Sequence, residues 1–182
     1  RRKFWELFVS EGRISQLVKA DGDSETEKFT LQTVWDFRRV AHRRRFLELL
    51  RQEQPEEVWM APPCTKWTRM QNINVAQHGE EYRQQLEKQR QKQEVEFLAL
   101  CRKIYDEQKQ EGRHAHIEHP RCASCWSSQA WQNMTSCDAE VEQCAYGLVA
   151  RDACGERLGP MKKPTRVRTT KWEMYQGLWR KC

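Results

Sequence analysis

The stretch Glu57-Val58-Trp59-Met60-Ala61-Pro62-Pro63-Cys64-Thr65 constrains the fold more than any other part of the chain. Its apolar residues, Val58 to Ala61, run without alternation. Both faces of the strand they form must be covered, as in the interior of a parallel sheet. Two prolines then end the ladder, because neither has a backbone N–H to donate. Cys64 follows on the loop past the strand's carboxyl end, the edge at which open α/β sheets hold their ligands. A thiolate on a stiff loop at that edge suits covalent chemistry. On this stretch alone, a proline-rich turn ending in an inert small residue fits as well.

The segments before it set the topology. Lys3 to Phe8 reads as a first strand, Val9 to Gly12 as a turn, and Arg13 to Ala20 as a helix with Ile14, Leu17 and Val18 on one face. A strand, a glycine-containing turn and a helix together form a ligand cradle, because helix N-terminal amides point outward. Asp21 to Glu27 reads as an acidic loop and Lys28 to Trp35 as extended chain, with Asp36 at its end. Arg38 to Gln54 then forms a helix with Val40, Phe46, Leu47, Leu49 and Leu50 on its buried face. The order β-α-β-α-β predicts a parallel sheet with right-handed crossovers.

After Cys64 the longest helical stretch runs from Glu80 to Glu111. Its first half is polar, and its second half carries a stripe of Phe97, Leu98, Cys101, Ile104 and Tyr105. His114 to Pro120 reads as a strand that brings Glu118 to the same sheet edge as Cys64. Ala123 to Gln132 is expected to be a helix, and Glu142 to Gly147 and Thr165 to Thr169 are expected to be later strands.

The 182 residues allow one domain with a real core. The chain opens at Arg1 rather than Met, which predicts a fragment of a larger polypeptide. No apolar run approaches the ~18 residues of a membrane span, and no signal-peptide core is present. The expectation is an intracellular protein without membrane contact, nuclear if eukaryotic. Eight cysteines spread from Cys64 to Cys182 predict reduced thiols. From Met161 to Cys182, seven Lys or Arg face one acid, interleaved with Trp172, Tyr175 and Trp179. That end suits a polyanion with stackable bases, and equally a solvated tail. The expected division is residues 1–160 as the α/β body and 161–182 as a basic segment supplying its last strand and helix.

Cys64 and Glu118 make a chemical pair. Methylation of cytosine at C5 needs a thiolate to add at C6 and an acid to engage N3, so that the ring accepts electrons. A second donor set, His114, His116 and His119 near Cys122 and Cys125, has the residue types of a zinc site. Its crowding and the strand alternation, which separates His119 from the other two, argue against a metal. Trp5, Trp35, Trp59 and Trp126 are expected in the core, and Trp67 either there or lining a base pocket.

The order Glu6-Leu7-Phe8 with Gly12, then Asp36, Pro62-Pro63-Cys64, Glu118-His119-Pro120, Tyr146-Gly147 and Lys163-Pro164-Thr165-Arg166-Val167-Arg168 resembles the cytosine-5 DNA methyltransferases. It is especially similar to methyltransferase-like domains of mobile-element polyproteins. The resemblance covers most of residues 4–170. It implies a Rossmann-like α/β fold, a mostly parallel sheet with helices on both faces. It also implies S-adenosylmethionine as cofactor and DNA as partner. By this resemblance Phe8, Gly12, Asp36 and Pro62 border the cofactor, with Phe8 against the adenine and Asp36 accepting from its amino group. Cys64 is the nucleophile, Glu118 engages N3 of a base flipped from its stack, and Arg166 and Arg168 steady the intermediate or a phosphate. The chain departs from the family at Ser10, where a glycine belongs, at Glu11, and at His119, where the family has asparagine. An inactive domain of the same fold, serving as a nucleic-acid-binding or scaffold module, is the alternative.

Overall fold

A computed structural model describes residues 1–9 and 12–178. The chain forms β1 (Arg2–Leu7), α1 (Arg13–Ala20), β2 (Ser24–Phe29), α2 (Val40–Glu53), β3 (Glu57–Met60), α3 (Met70–Gln93), α4 (Ala99–Gln110), β4 (His114–Pro120), β5 (Cys137–Glu142), β6 (Val149–Arg151), β7 (Arg157–Pro160), β8 (Pro164–Thr169) and α5 (Trp172–Gly177). Six strands make one sheet in the order β2-β1-β3-β4-β8-β5, and β6 and β7 pair as a separate hairpin. β1 to β4 are mutually parallel, and β8 runs antiparallel to both of its neighbours. The result is a mixed α/β domain with a mostly parallel sheet.

Alternation along the strands divides the core between two faces. Trp5, Leu7, Val58, Met60, Ala115 and Ile117 point to one side and pack against Phe46, Leu47 and Leu50 of α2 and Leu100, Ile104 and Tyr105 of α4. Phe4, Trp59 and Val167 point to the other, under Ile14 and Val18 of α1 and Met174 and Leu178 at α5. The unalternating run Val58 to Met60 is buried throughout, as a strand covered on both faces must be.

Several local expectations need correction. β2 begins at Ser24, inside the stretch expected to be loop. Its continuation is not extended but turns at Leu31–Thr33, where the Thr30 hydroxyl accepts from the Gln32 and Thr33 amides. The long helix starts at Met70 and breaks at Gly79 (φ 74°, ψ −159°), then passes through a π-helical turn, Glu94–Leu98, into α4. Residues 123–132 form two short 3₁₀ turns rather than a helix. Residues 143–146 are a 3₁₀ turn as well, and the strand lies just before them as β5. Cys144 is disulfide-bonded, whereas Cys64, Cys101, Cys122, Cys125, Cys137 and Cys154 are free thiols. No helix among the described residues is long and apolar enough to cross a membrane.

Candidate functional site

From β1 the chain moves outward to β2, then returns past β1 to β3, so the winding direction reverses between β1 and β3. A crevice is expected outside the carboxyl ends at such a reversal. A cavity of about 500 Å³ lies there, lined by Phe8 and Val9 after β1, Phe29 and Thr30 at the end of β2, Asp36 to Arg38, Pro63, and Gln93 and Phe97. That size is within the range of small-molecule sites.

Its walls are aromatic. Phe8 lies 5.1 Å from Phe37 and 5.6 Å from Phe97, and Trp35 stacks on Phe37 at 6.1 Å with 28° between planes. Phe97 belongs to the π-helical turn, an irregularity that recurs at functional sites. Phe8 sits at φ 62°, a conformation that costs a bulky residue about 1–2 kcal/mol and that the surrounding packing must hold.

Asp36 is bound on both carboxylate oxygens by Arg38, at 2.8 and 2.9 Å, and accepts a third bond from the Arg38 amide. These bonds hold its pKa down to about 2. Gly12, at φ 66°, opens α1, but the cradle behind it is filled from inside the protein. The buried Glu6 carboxylate accepts from the Ser15 amide at 2.9 Å and the Ser15 hydroxyl at 2.5 Å. Lys28 packs so close to Gly12 that a Cβ would fall 2.2 Å from its Cδ. Pro62 is buried and its neighbour Pro63 reaches the cavity. Ser10 and Glu11 lie outside the described residues.

Cys64 is half-buried beside this cavity, and its loop is held through backbone carbonyls. Gln71 donates to Thr65 O at 2.9 Å, Arg90 donates to Lys66 O at 2.8 Å, and the Trp67 amide donates to Cys64 O at 2.8 Å. The His119 ring meets the Pro63 carbonyl, and its Nδ1 lies 3.2 Å from Cys125 Sγ. Burial holds His119 down to about 4, so it is neutral at pH 7. Trp67 belongs to the core, donating to Gln93 Oε1 at 3.0 Å with Arg90 over its ring.

Glu118 reaches the same carboxyl edge one strand away, and its side chain points to the α1 and α5 face. Oε1 is buried with no hydrogen-bond partner. Burial raises its pKa, against smaller opposing pulls from Lys163 and the Thr165 hydroxyl. Arg166 and Arg168 alternate to the other face of β8. Arg168 binds both oxygens of Asp138 at 2.8 Å and donates to Trp131 O at 3.0 Å, while Arg166 pairs with Glu140 at 3.0 Å. Both guanidiniums lie over Trp126, at 5.3 and 5.2 Å. The structure thus brings Phe8, Asp36 and Pro63 around one cavity next to Cys64, puts Glu118 at the same edge, and engages the two arginines elsewhere. Comparison with family models, curated proteins and solved structures returns no significant match.

Two further groups are structural. His116 bridges Thr169 Oγ1 at 2.8 Å and Glu57 Oε2 at 3.2 Å, and Lys171 pairs with the other Glu57 oxygen. The set has the residue types of a nucleophile triad, but Thr169 is fully buried and no substrate reaches it. Among the described residues no group of three or more His, Cys, Asp or Glu gathers as a metal site. Trp172 and Tyr175 stack at 5.0 Å on the exposed surface, but Lys171 beside them pairs with Glu57 at the start of β3. They therefore lie at the sheet edge opposite Cys64, and Trp179 lies outside the described residues. A different basic group was missed, Arg38, Arg39, Arg43, Arg44 and Arg45 at the start of α2. Its signal was visible as five arginines within eight residues.

Proposed function

We propose that this domain has a Rossmann-like methyltransferase architecture and is a diverged relative of the cytosine-5 DNA methyltransferases. It would bind S-adenosylmethionine in the aromatic cavity and act on cytosine in DNA through Cys64. One observation carries the reading: a half-buried thiol stands on the loop beside an aromatic cavity at the reversal of the winding, and the next parallel strand brings to the same sheet edge Glu118, which has one buried, unbonded carboxyl oxygen and faces the α1 and α5 side.

The cavity suits a planar base, with Phe8 and Phe37 as walls. Asp36 keeps one lone pair, on Oδ2, for an amino group even while paired with Arg38. The cofactor would supply an electrophilic methyl group. Cys64 as thiolate adds to cytosine C6, and electron density shifts to C5. Glu118 is suited to the acid role, because burial favours its protonated form, which can donate to N3. After C5 is methylated, loss of the C5 proton expels the Cys64 sulfur and restores the ring. A neutral His119 on the Pro63 carbonyl keeps the loop in place without adding charge beside the thiol.

A second reading, the same fold binding nucleic acid without turnover, is favoured by the engagement of Arg166 and Arg168 with acids on β5. Two measurements separate the readings. Calorimetric titration with S-adenosylmethionine should show saturable binding that Phe8→Ala weakens. An oligonucleotide carrying 5-fluorocytosine should then form a covalent adduct that Cys64→Ser abolishes. Cofactor binding without an adduct, or an adduct that survives Cys64→Ser, rules out the catalytic assignment.

A further inference from the structure

We infer that the arginine cluster opening α2 is a docking surface for the phosphate backbone of duplex DNA. This inference rests on the DNA partner proposed above and adds where that partner is held. Five arginines lie between positions 38 and 45, and the nearest following acid is Glu48. Two have internal duties. Arg38 is bound to Asp36, and Arg43 donates to the Phe37 and Arg38 carbonyls at 2.6 and 2.9 Å. The guanidiniums of Arg39, Arg44 and Arg45 are exposed and, among the described residues, have no hydrogen bond or ion pair. Some exposed cations elsewhere, Arg51, Arg83 and Lys162, lie within 4 Å of a carboxylate, and others, such as Arg69, Lys88 and Lys103, stand singly; what sets α2 apart is three such arginines within seven residues.

Position makes this surplus informative. α2 starts after the loop that leaves the carboxyl end of β2, so its first turn stands on the edge that carries Cys64 and Glu118. Arg38 and Pro63 line the same cavity, which puts the cluster one cavity's width from the Cys64 loop. A duplex presenting a base there would carry its backbone past these side chains. Guanidinium matches phosphate oxygens with two parallel N–H donors, which a lysine cannot do.

Exposed Leu31, Val34 and Val40 lie close by in the chain, so an anionic membrane is the competing partner. It is disfavoured because Phe46, Leu47 and Leu50, the apolar stripe of α2, are buried against the sheet, and no amphipathic face is left to lie on a bilayer.

The test is binding of a fluorescent DNA duplex of about 20 base pairs, followed from about 50 to 200 mM salt. The variants are Arg39→Gln/Arg44→Gln/Arg45→Gln and a control of equal charge loss on α3 and just before it ends, Arg83→Gln/Lys88→Gln/Lys92→Gln. The first triple should lower the slope of log affinity against log salt by about 2–3 and weaken binding at low salt at least about tenfold. The control should leave the slope within about 0.5 of the parent value. An unchanged slope in the first triple, an equal change in both, or a triple that loses binding to phosphatidylserine vesicles while keeping DNA, each overturns the assignment. The salt titration reads binding and not turnover, so absence of a covalent adduct with the parent protein leaves this inference standing.

Discussion

Replacing Arg168 with methionine tests whether this side chain serves the fold or the reaction. Its guanidinium is 10 % exposed and the carboxylate it binds, Asp138, is 29 % exposed. Removing it strips the buried Trp131 carbonyl of a donor, about 1–3 kcal/mol. It also loses about 0.5–1 kcal/mol of attraction to the Trp126 face. Breaking a buried ion pair from one side costs about 3–5 kcal/mol, and partial hydration of Asp138 points to the lower end, about 3 kcal/mol. For a chain of this length each kcal/mol moves the melting temperature by about 2–4 °C, so loss of the ion pair alone lowers it by about 6–12 °C, and the two other losses make the full drop for Arg168→Met larger. Burial opposes ionisation of Asp138, and the Arg168 hydrogen bonds more than offset it, leaving its pKa lowered. The pair's contribution is therefore present above the ordinary aspartate value and fades as pH falls through the lowered one. The difference between Arg168→Met and parent should shrink in acid. Differential scanning calorimetry of Arg168→Met, Asp138→Asn and the double variant gives the coupling by cycle. A melting temperature for Arg168→Met within about 2 °C of the parent, with covalent trapping abolished, would refute the structural role.

Glu118→Gln keeps the shape and removes the ionisation. Because burial raises the Glu118 pKa, ionising it weakens the fold, so the variant should gain stability relative to the parent as pH rises above about 4.3 and level off beyond the raised value. Urea midpoints of the two proteins across that range check this, and parallel curves would contradict it. Gly12→Ala should cost about 1–2 kcal/mol from its φ of 66°, with the Lys28 stem, whose Cδ and Cγ the new Cβ would meet at 2.2 and 3.2 Å, swinging aside. Urea unfolding of Gly12→Ala alongside Gly22→Ala, where φ is 81° and a Cβ meets open space, should give similar losses, and a much larger one at Gly12 would show that Lys28 does not yield.

β1 and β3 were legible because they are largely apolar and buried, and β3 and β4 because each runs into a proline. β4 matches its expected span, and α1 does too, set by Gly12 and the Ile14 and Val18 stripe. β2 was hidden because it is an edge strand whose only buried residue is Phe29. The apolar look of Cys144-Ala145-Tyr146 drew the expected strand past β5, where only Ala139 and Val141 are buried and the signal is a plain alternation. At the candidate site, the convergence of Phe8, Asp36 and Pro63 follows from element order. The engagement of Arg166 and Arg168 does not, since their partners are 26 and 30 residues away in the chain and on a strand placed wrongly. The arginines of α2 could be read from the sequence, but the concentration of charge after Met161 drew attention from them.

β8 is the last of the sheet's six strands in chain order, yet it lies inside the sheet, between β4 and β5. A nascent chain halted after β7 would have β4 unpaired along one side and β5 with no neighbour at all. Closure of the sheet must wait until translation has passed Thr169. Proteolysis or a stop codon shortly before Pro164 would therefore remove the mate of both strands, leaving an open, adhesive margin instead of a shortened but intact domain.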